Sequence, residues 1–378
     1  MKIKTYIIAA LIALALTYGA FLAGANIGAA KGGNIYEKAA FNLMAVTHTT
    51  LSGTGTITDD FGDETKTDAS ACLPVSAWRL VPMVLCAAAA FVSMRKTKSS
   101  SLLNVFSGAL AISIIFAAAM YLTAPHLTCR VGSSALPHIG DTELALPELV
   151  YTPKASSALL CGFVISFIFS YVGGILALIG KNKSDFHKAF VGAITAMATV
   201  ILILAVLMTG AYFGTKIRKS TPFYSYCNTC PFVKLLLWSG TLGSDLSLKV
   251  TSASQGEKPK TVIGYNINIY KHNKDLKKPL PPYVYVLSLL AALAVFFGAK
   301  TAGKLGAKNR FGTALAMTLI LYGAALIIVK FTGLYIKTAD PDFTVIQQAA
   351  PAADPMMFVC AVVMFIFAYS GVKVSKKR

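Results

Sequence analysis

Apolar residues run along this chain in stretches of about twenty, separated by polar segments that alternate between short and long. A run of roughly 20 apolar residues is long enough to cross a ~30 Å hydrocarbon layer as a helix. Eight such runs are centred within 5–29, 76–94, 102–124, 156–179, 189–215, 283–299, 311–334 and 355–374. Two stretches outside them follow a different period. Leu246–Val250 alternates apolar and polar residues, as does Val262–Tyr270, where Ile263, Tyr265, Ile267 and Ile269 share one face. A period of two predicts a β-hairpin across the turn-rich segment 251–260, joined by a further strand because a lone hairpin is only marginally stable.

The pattern occurs twice. "FIFSYVGG" at 167–174 returns as "FIFAYSGV" at 365–372, with Cys161 and Cys360 just ahead of the two copies. "NVFSGALAIS" at 104–113 lies against "NRFGTALAMT" at 309–318, "GANIG" at 24–28 against "GAYFG" at 210–214, and "LSGT" at 51–54 against "WSGT" at 238–241. Collinear matches at one broad offset predict duplication of a four-helix unit, 1–183 and 184–378. Each half reads helix, long loop, helix, short basic loop, helix, shorter loop, helix. Four crossings per unit put both copies the same way up in the membrane. The expected class is an all-α integral membrane protein of eight transmembrane helices in two tandem units, with small β-rich extracytoplasmic loops at 30–75, 125–155, 216–282 and 335–354.

Composition agrees with a lipid solvent: 55% of residues are hydrophobic, 13% are charged, and the mean hydropathy is +0.63. The formal charge of +19 is placed unevenly. Lys2, Lys4 and the segments 95–98, 181–188, 300–310 and 373–378 hold sixteen Lys or Arg and one acid, Asp185. Under the positive-inside rule these segments and both termini are cytoplasmic, consistent with a plasma-membrane protein and against a nucleic-acid partner. "MKIK", the following apolar run and "AGA" at 23–25 also fit a cleaved secretory signal. The match of the first helix to the fifth predicts that it is retained.

Ionisable groups at mid-membrane mark ion or substrate paths. Arg79 and Lys330 fall instead near the outer helix ends, where long side chains snorkel to the interface. Asn104, Ser113, Ser166, Ser170 and Tyr171 are mild polar groups that bond neighbouring helices. Gly24 and Gly28, like Gly210 and Gly214, form GxxxG pairs that predict close helix packing.

Cys86, Cys161 and Cys360 fall within predicted helices and read as packing residues. Cys72, Cys129, Cys227 and Cys230 fall in outer loops, where an oxidising compartment favours disulfides. Four cysteines allow three pairings, of which Cys72–Cys129 with Cys227–Cys230 is preferred. "YCNTCPF" at 226–232 is also a CxxC, the spacing of a redox pair in which one thiolate attacks and its neighbour resolves. Zinc needs further soft ligands that no neighbouring Cys or His pair supplies. The acids of "DDFGDETKTD" at 59–68 lack the order and closing Glu of a calcium loop. His48, His126, His138, His187 and His272 are scattered, with no catalytic triad or HExxH pattern. Neither a metal nor a cofactor is expected.

Inner termini, four helices and a strand-rich, cysteine-bearing first outer loop resemble the claudin-type tetraspan plan, and "LLLWSG" at 235–240 resembles the Leu-Trp-Gly core of claudins and of amastin surface proteins. Two features depart from it: Cys227 and Cys230 both precede Trp238, and Leu51 stands where the first half would carry the tryptophan. The resemblance implies adhesion, barrier formation or partner scaffolding. The expectation is therefore a non-catalytic membrane scaffold that displays disulfide-stapled loops to a protein partner or a second copy, with Trp238 and Tyr265 as contacts. The alternatives are a transporter or channel subunit working between the repeats, and a thiol oxidoreductase acting through Cys227 and Cys230.

Overall fold

The structure, a computed structural model, describes residues 3–27, 30–58, 64–73, 77–97, 101–131, 138–139, 142–143, 149–179, 184–214, 240–254, 257–271, 280, 282–330 and 333–375. Its long helices are α1 (Ile3–Ala23), α3 (Leu80–Thr97), α4 (Leu102–Thr123), α5 (Ala155–Ala177), α6 (Asp185–Gly214), α7 (Leu287–Lys304), α8 (Arg310–Lys330) and α9 (Pro355–Val374), with the shorter α2 at Ile35–Val46. Seven are long and apolar enough to cross a membrane: α1, α3, α4, α5, α6, α7 and α9. In α8 the apolar stretch is the shorter Arg310–Leu326, and the side chain of Lys330 at its end lies outside the described residues. Outward-facing positions such as Ile8, Leu202, Val206 and Phe358 are more than half exposed, as lipid-facing side chains are when no lipid surrounds them.

The helices form two four-membered rings. α1 and α5 each pack on both α3 and α4, while α6 and α9 each pack on both α7 and α8. Between the rings α5 meets α6 over a small area. Within each ring the same side chains meet. Phe106 of α4 stands edge-on to Phe167 of α5 at 5.6 Å, and Phe311 of α8 stands edge-on to Phe365 of α9 at 5.4 Å. Tyr171 and Tyr369 stack one turn further on. The glycine that ends each FIF segment is where a neighbouring backbone comes close. A Cβ on Gly173 would strike the Ala87 carbonyl of α3, and one on Gly371 the Phe296 carbonyl of α7. This close approach is what the GxxxG pairs were expected to provide. At Gly210 and Gly214 nothing lies within 4 Å of a Cβ, Gly24 is covered closely by the Trp78 ring, and Gly28 lies outside the described residues.

The polar ends of the helices carry a sheet, and the expectation of small separate β-rich loops on an all-α protein is corrected here. Its strands are β1 (Ala30–Lys31), β2 (Leu51–Thr58), β3 (Glu64–Cys72), β4 (Cys129–Val131), β7 (Val150–Pro153), β8 (Asp245–Ser254), β9 (Lys260–Ile267), β10 (Leu334–Ala339) and β11 (Phe343–Ala352). They form one nine-stranded sheet in the order β1-β4-β7-β2-β3-β10-β11-β8-β9, and β5 (His138–Ile139) pairs separately with β6 (Thr142–Glu143). Apart from β1 at the edge, the strands of the second loop precede those of the first in both halves: β4-β7-β2-β3, then β10-β11-β8-β9. The seam is β3 on β10, antiparallel from Cys72↔Tyr335 to Asp68↔Ala339. Pairing there satisfies two strand edges that separate loops would have left open.

The hairpin expected at 246–270 is β8 on β9, with Leu246 opposite Ile267 and Leu248 opposite Tyr265. Ile267 and Ile269 are buried and Tyr265 is exposed. One face of the sheet packs on α2 and the top of α6 through Leu51, Ala71, Tyr151, Leu246, Ile336, Phe41 and Leu204. The "WSGT" match loses its register: Leu51 opens β2, whereas Gly240 and Thr241 lie in a helical turn ahead of β8. Chain connectivity puts the sheet at one end of the rings and the end of α3, the starts of α4 and α6 and the turn 305–309 at the other.

Candidate functional site

The densest group of chemically capable side chains lies where the first ring meets the sheet. Asn34 starts α2 with a capping box: its side chain accepts from the Glu37 amide at 2.8 Å, and Glu37 accepts from the Asn34 amide at 3.2 Å. The helix stops in a Schellman turn in which the His48 amide donates to Ala45 and the Thr49 amide to Met44, both at 3.2 Å. His48 holds the left-handed position of that turn at φ 67°, the one non-glycine to do so among the described residues. Glycine or asparagine usually fills this place, because an L side chain there is strained.

His48 is held by side chain and backbone alike. Its Nδ1 lies 3.0 Å from the Leu73 carbonyl at the end of β3, and its own carbonyl accepts from Cys161 Sγ on α5 at 3.4 Å. Burial pushes the imidazole down to about 4, with the charge of Arg79 acting in the same direction and the Leu73 bond opposing. His48 is therefore neutral at physiological pH, with Nδ1–H donating to Leu73. Arg79 is only 5% exposed, so the expectation that it snorkels to the interface is overturned. Burial lowers the guanidinium to about 10, offset in part by the Cys161 thiol.

A relay of hydroxyls runs beside this pair. Thr50 Oγ1 is 3.4 Å from Cys72 Sγ, Ser157 Oγ donates to Thr50 Oγ1 at 3.1 Å, and Ser157 Oγ is 3.9 Å from Cys161 Sγ. The Thr50 amide donates to Ser157 Oγ at 2.9 Å, which fixes α5 against the start of β2. Cys72 is half-buried and Cys161 buried, and both are free thiols. Burial pushes the Cys72 thiol up, while the Thr50 hydroxyl and the charge of Lys154 pull it down.

The expected Cys72–Cys129 disulfide does not form. Cys129 on β4 is separated from β3 by β7 and β2. Three strand spacings of about 4.8 Å amount to roughly 14 Å, twice the Cα separation that a disulfide spans. Burial instead raises the Cys129 thiol to about 11. Cys227, Cys230 and Trp238 lie outside the described residues, while Tyr265 is exposed on β9, 41% accessible. Cys86 and Cys360 are buried within helices, as expected. Ser113 and Ser166 bond carbonyls of their own helices, and Ser170 reaches the Cys86 carbonyl of α3 at 3.4 Å.

The second half builds its corresponding corner from ions. Lys271 pairs with Asp354, which caps α9 by accepting from the Met356 amide at 2.8 Å, and stands 3.8 Å from Asp245. Asn268 donates to Asp245 at 2.7 Å. Below this corner, a cavity of about 60 Å³ lies within the second ring, lined by Ala196, Val200, Ala291, Val295, Tyr322 and Met364 and roofed by Thr241 and Leu242. The first ring is filled by Tyr6, Met94, Ile112, Phe116 and Met120, and the second largely by alanines. A second, polar hollow of about 390 Å³ lies on the sheet between Ser254, Glu257, Lys337, Asp340 and Asp342. No group of three or more metal-ligating side chains occurs among the described residues.

Sequence reasoning treated His48 as scattered, Arg79 as interfacial and Cys161 as packing. The signal that unites them is weak but present: the polar run His48-Thr49-Thr50 follows a capped helix, and a lone arginine opens a span. No protein-family profile, curated protein or solved structure matches this chain.

Proposed function

We propose that this is a multi-pass surface protein made of two tandem four-helix units with eight spans, and that its joined sheet presents an extended edge and face to a protein partner outside the cell. The sheet carries the proposal: strands from both halves merge into one nine-stranded layer across the ends of two rings that otherwise touch little. The duplicated units are supported by the matching rings, by the Phe106–Phe167 and Phe311–Phe365 pairs, and by the close approaches at Gly173 and Gly371. Among the described residues, the cations Lys4, Arg95, Lys96, Lys188, Lys300, Lys304, Lys308, Arg310 and Lys373 lie at the helix ends away from the sheet, which supports cytoplasmic termini and a sheet facing outward from the plasma membrane. Scaffolding, as the tetraspan plan implies, is preferred over transport.

The partner adds an extended segment to β9, whose one sheet neighbour among the described residues is β8. Val262 and Tyr265 stand 63% and 41% exposed there, a hydrophobic edge of the kind that strand addition uses. A photo-crosslinking side chain at Tyr265 in intact membranes tests this, with one at lipid-facing Leu202 as control. A discrete protein adduct at 265 that is absent at 202 is the expected result; lipid adducts alone at both positions overturn the proposal.

A further inference from the structure

We propose that the helix ends of the second ring, away from the sheet, bind an anionic phospholipid, with its phosphate held by Lys300, Lys304 and Lys373 and its acyl chain lying along the apolar stripes that lead to them. The site rests on the membrane-spanning reading. It depends on neither the orientation of the chain nor a protein partner.

The stripes carry the proposal. On α7, Leu289 and Phe297 are more than half exposed and Leu293 stands between them, and Lys300 and Lys304 follow Leu293 and Phe297 two turns on along the same face. On α9, Val359 and Ile366 are more than half exposed and Lys373 follows Ile366 at the same interval. Each lipid-facing stripe thus ends in a cation. The two ends also meet: a Cβ on Gly303 would strike the Ser375 side chain, and one on Gly371 would come within 3.1 Å of the Lys300 amide nitrogen.

Little offsets this charge. Lys304 and Lys373 are exposed and Lys300 is half-buried, while Lys308 and Arg310 stand exposed at the start of α8. None of the five forms an ion pair among the described residues. Asp185, the acid that stands among them, is occupied by the Lys308 and Asn309 amides and by Lys188, whose side chain is 8% exposed. At the sheet end, by contrast, Lys271 is matched by Asp354. Apolar neighbours complete the surface, since Leu305, Phe311 and Val374 are exposed directly beside Lys304, Arg310 and Lys373. A free phosphate would use only the cations. A molecule with an anionic head and a hydrocarbon tail uses both parts, because cations near the membrane surface attract acidic headgroups while the stripes exclude water.

The full chain reconstituted in phosphatidylcholine vesicles tests this, with spin-labelled phosphatidylglycerol or spin-labelled phosphatidylcholine added and the motionally restricted fraction of each label compared. Preferential restriction of phosphatidylglycerol is expected, weakening as salt screens the headgroup. Lys300→Gln with Lys304→Gln and Lys373→Gln is expected to lower that preference at least about fivefold, the share of a single cation. Arg95→Gln with Lys96→Gln, on the first ring, is expected to keep it. Inorganic phosphate at matched ionic strength is expected not to displace the label. Equal restriction of the two lipids, an unchanged preference in the triple variant, or displacement by inorganic phosphate overturns the proposal. Restriction of neither label would overturn the membrane-spanning reading as well. The wild-type comparison decides even where a variant fails to insert.

Discussion

The thiol of Cys161 donates to the carbonyl of His48 at 3.4 Å, so the second turn of α5 is tied to the left-handed residue that ends α2. His48 in turn holds the end of β3 through Leu73 at 3.0 Å. One strained residue thus joins a membrane helix, a surface helix and the sheet.

This arrangement makes stability depend on pH in a definite direction. The folded imidazole titrates at about 4 and the unfolded one near the ordinary 6.5, so the unfolded chain binds the proton first. Stability is complete above about pH 6.5 and falls as pH drops toward 4, by at most about 3 kcal/mol. His48→Asn, which tolerates the left-handed backbone, is expected to remove the largest share of this dependence in thermal unfolding measured in detergent between pH 4 and 7.

The repeated glycines give a second expectation. Gly173→Leu and Gly371→Leu each push a side chain into a facing backbone and are expected to cost about 1–3 kcal/mol or more. Gly210→Leu, with open space before it, is expected to be neutral. The yield of monodisperse protein and its midpoint of unfolding separate the two classes.

At the seam, Ser70 of β3 faces Lys337 of β10. Ser70→Cys with Lys337→Cys, in a Cys72→Ser background, is expected to cross-link through a short bismaleimide in native membranes. Pairing Ser70→Cys with a cysteine at Thr344 on β11 is expected to fail, because β10 stands between the two strands.

The acid among the basic turns is a clamp. Asp185 accepts from the Lys308 amide at 3.1 Å and the Asn309 amide at 2.9 Å, and pairs with Lys188 at 3.0 Å. Asp185→Ala orphans these donors at the start of α8 and is expected to cost about 1–3 kcal/mol. Faster proteolysis at the 305–309 turn would report it.

How much of this was legible beforehand differs by element. The long helices announced themselves, since lipid demands an apolar run of fixed length and Leu, Ile, Val and Phe at the outward positions supply it. The β8–β9 hairpin was legible from its period of two. The sheet as a whole was not: Leu334–Ala339 and Phe343–Ala352 are paired with strands far away in sequence, and the alternation of the second is blurred by the adjacent polar pair Gln347 and Gln348 and the small pair Ala349 and Ala350. The spacing of Gly210 and Gly214 did not show that open space faces them, because two glycines four apart say nothing of their neighbours. The junction of His48, Arg79 and Cys161 stayed hidden because its members lie 31 and 82 residues apart, and only the folded chain brings the Cys161 thiol to the His48 carbonyl.

The seam between β3 and β10 has a mechanical consequence. Two bundles that meet weakly within the bilayer would be free to rock, as alternating-access machines do, were their tops not stitched by a continuous ladder of backbone bonds. A stitched pair moves as one plate, and whatever grips the sheet pulls on both bundles at once.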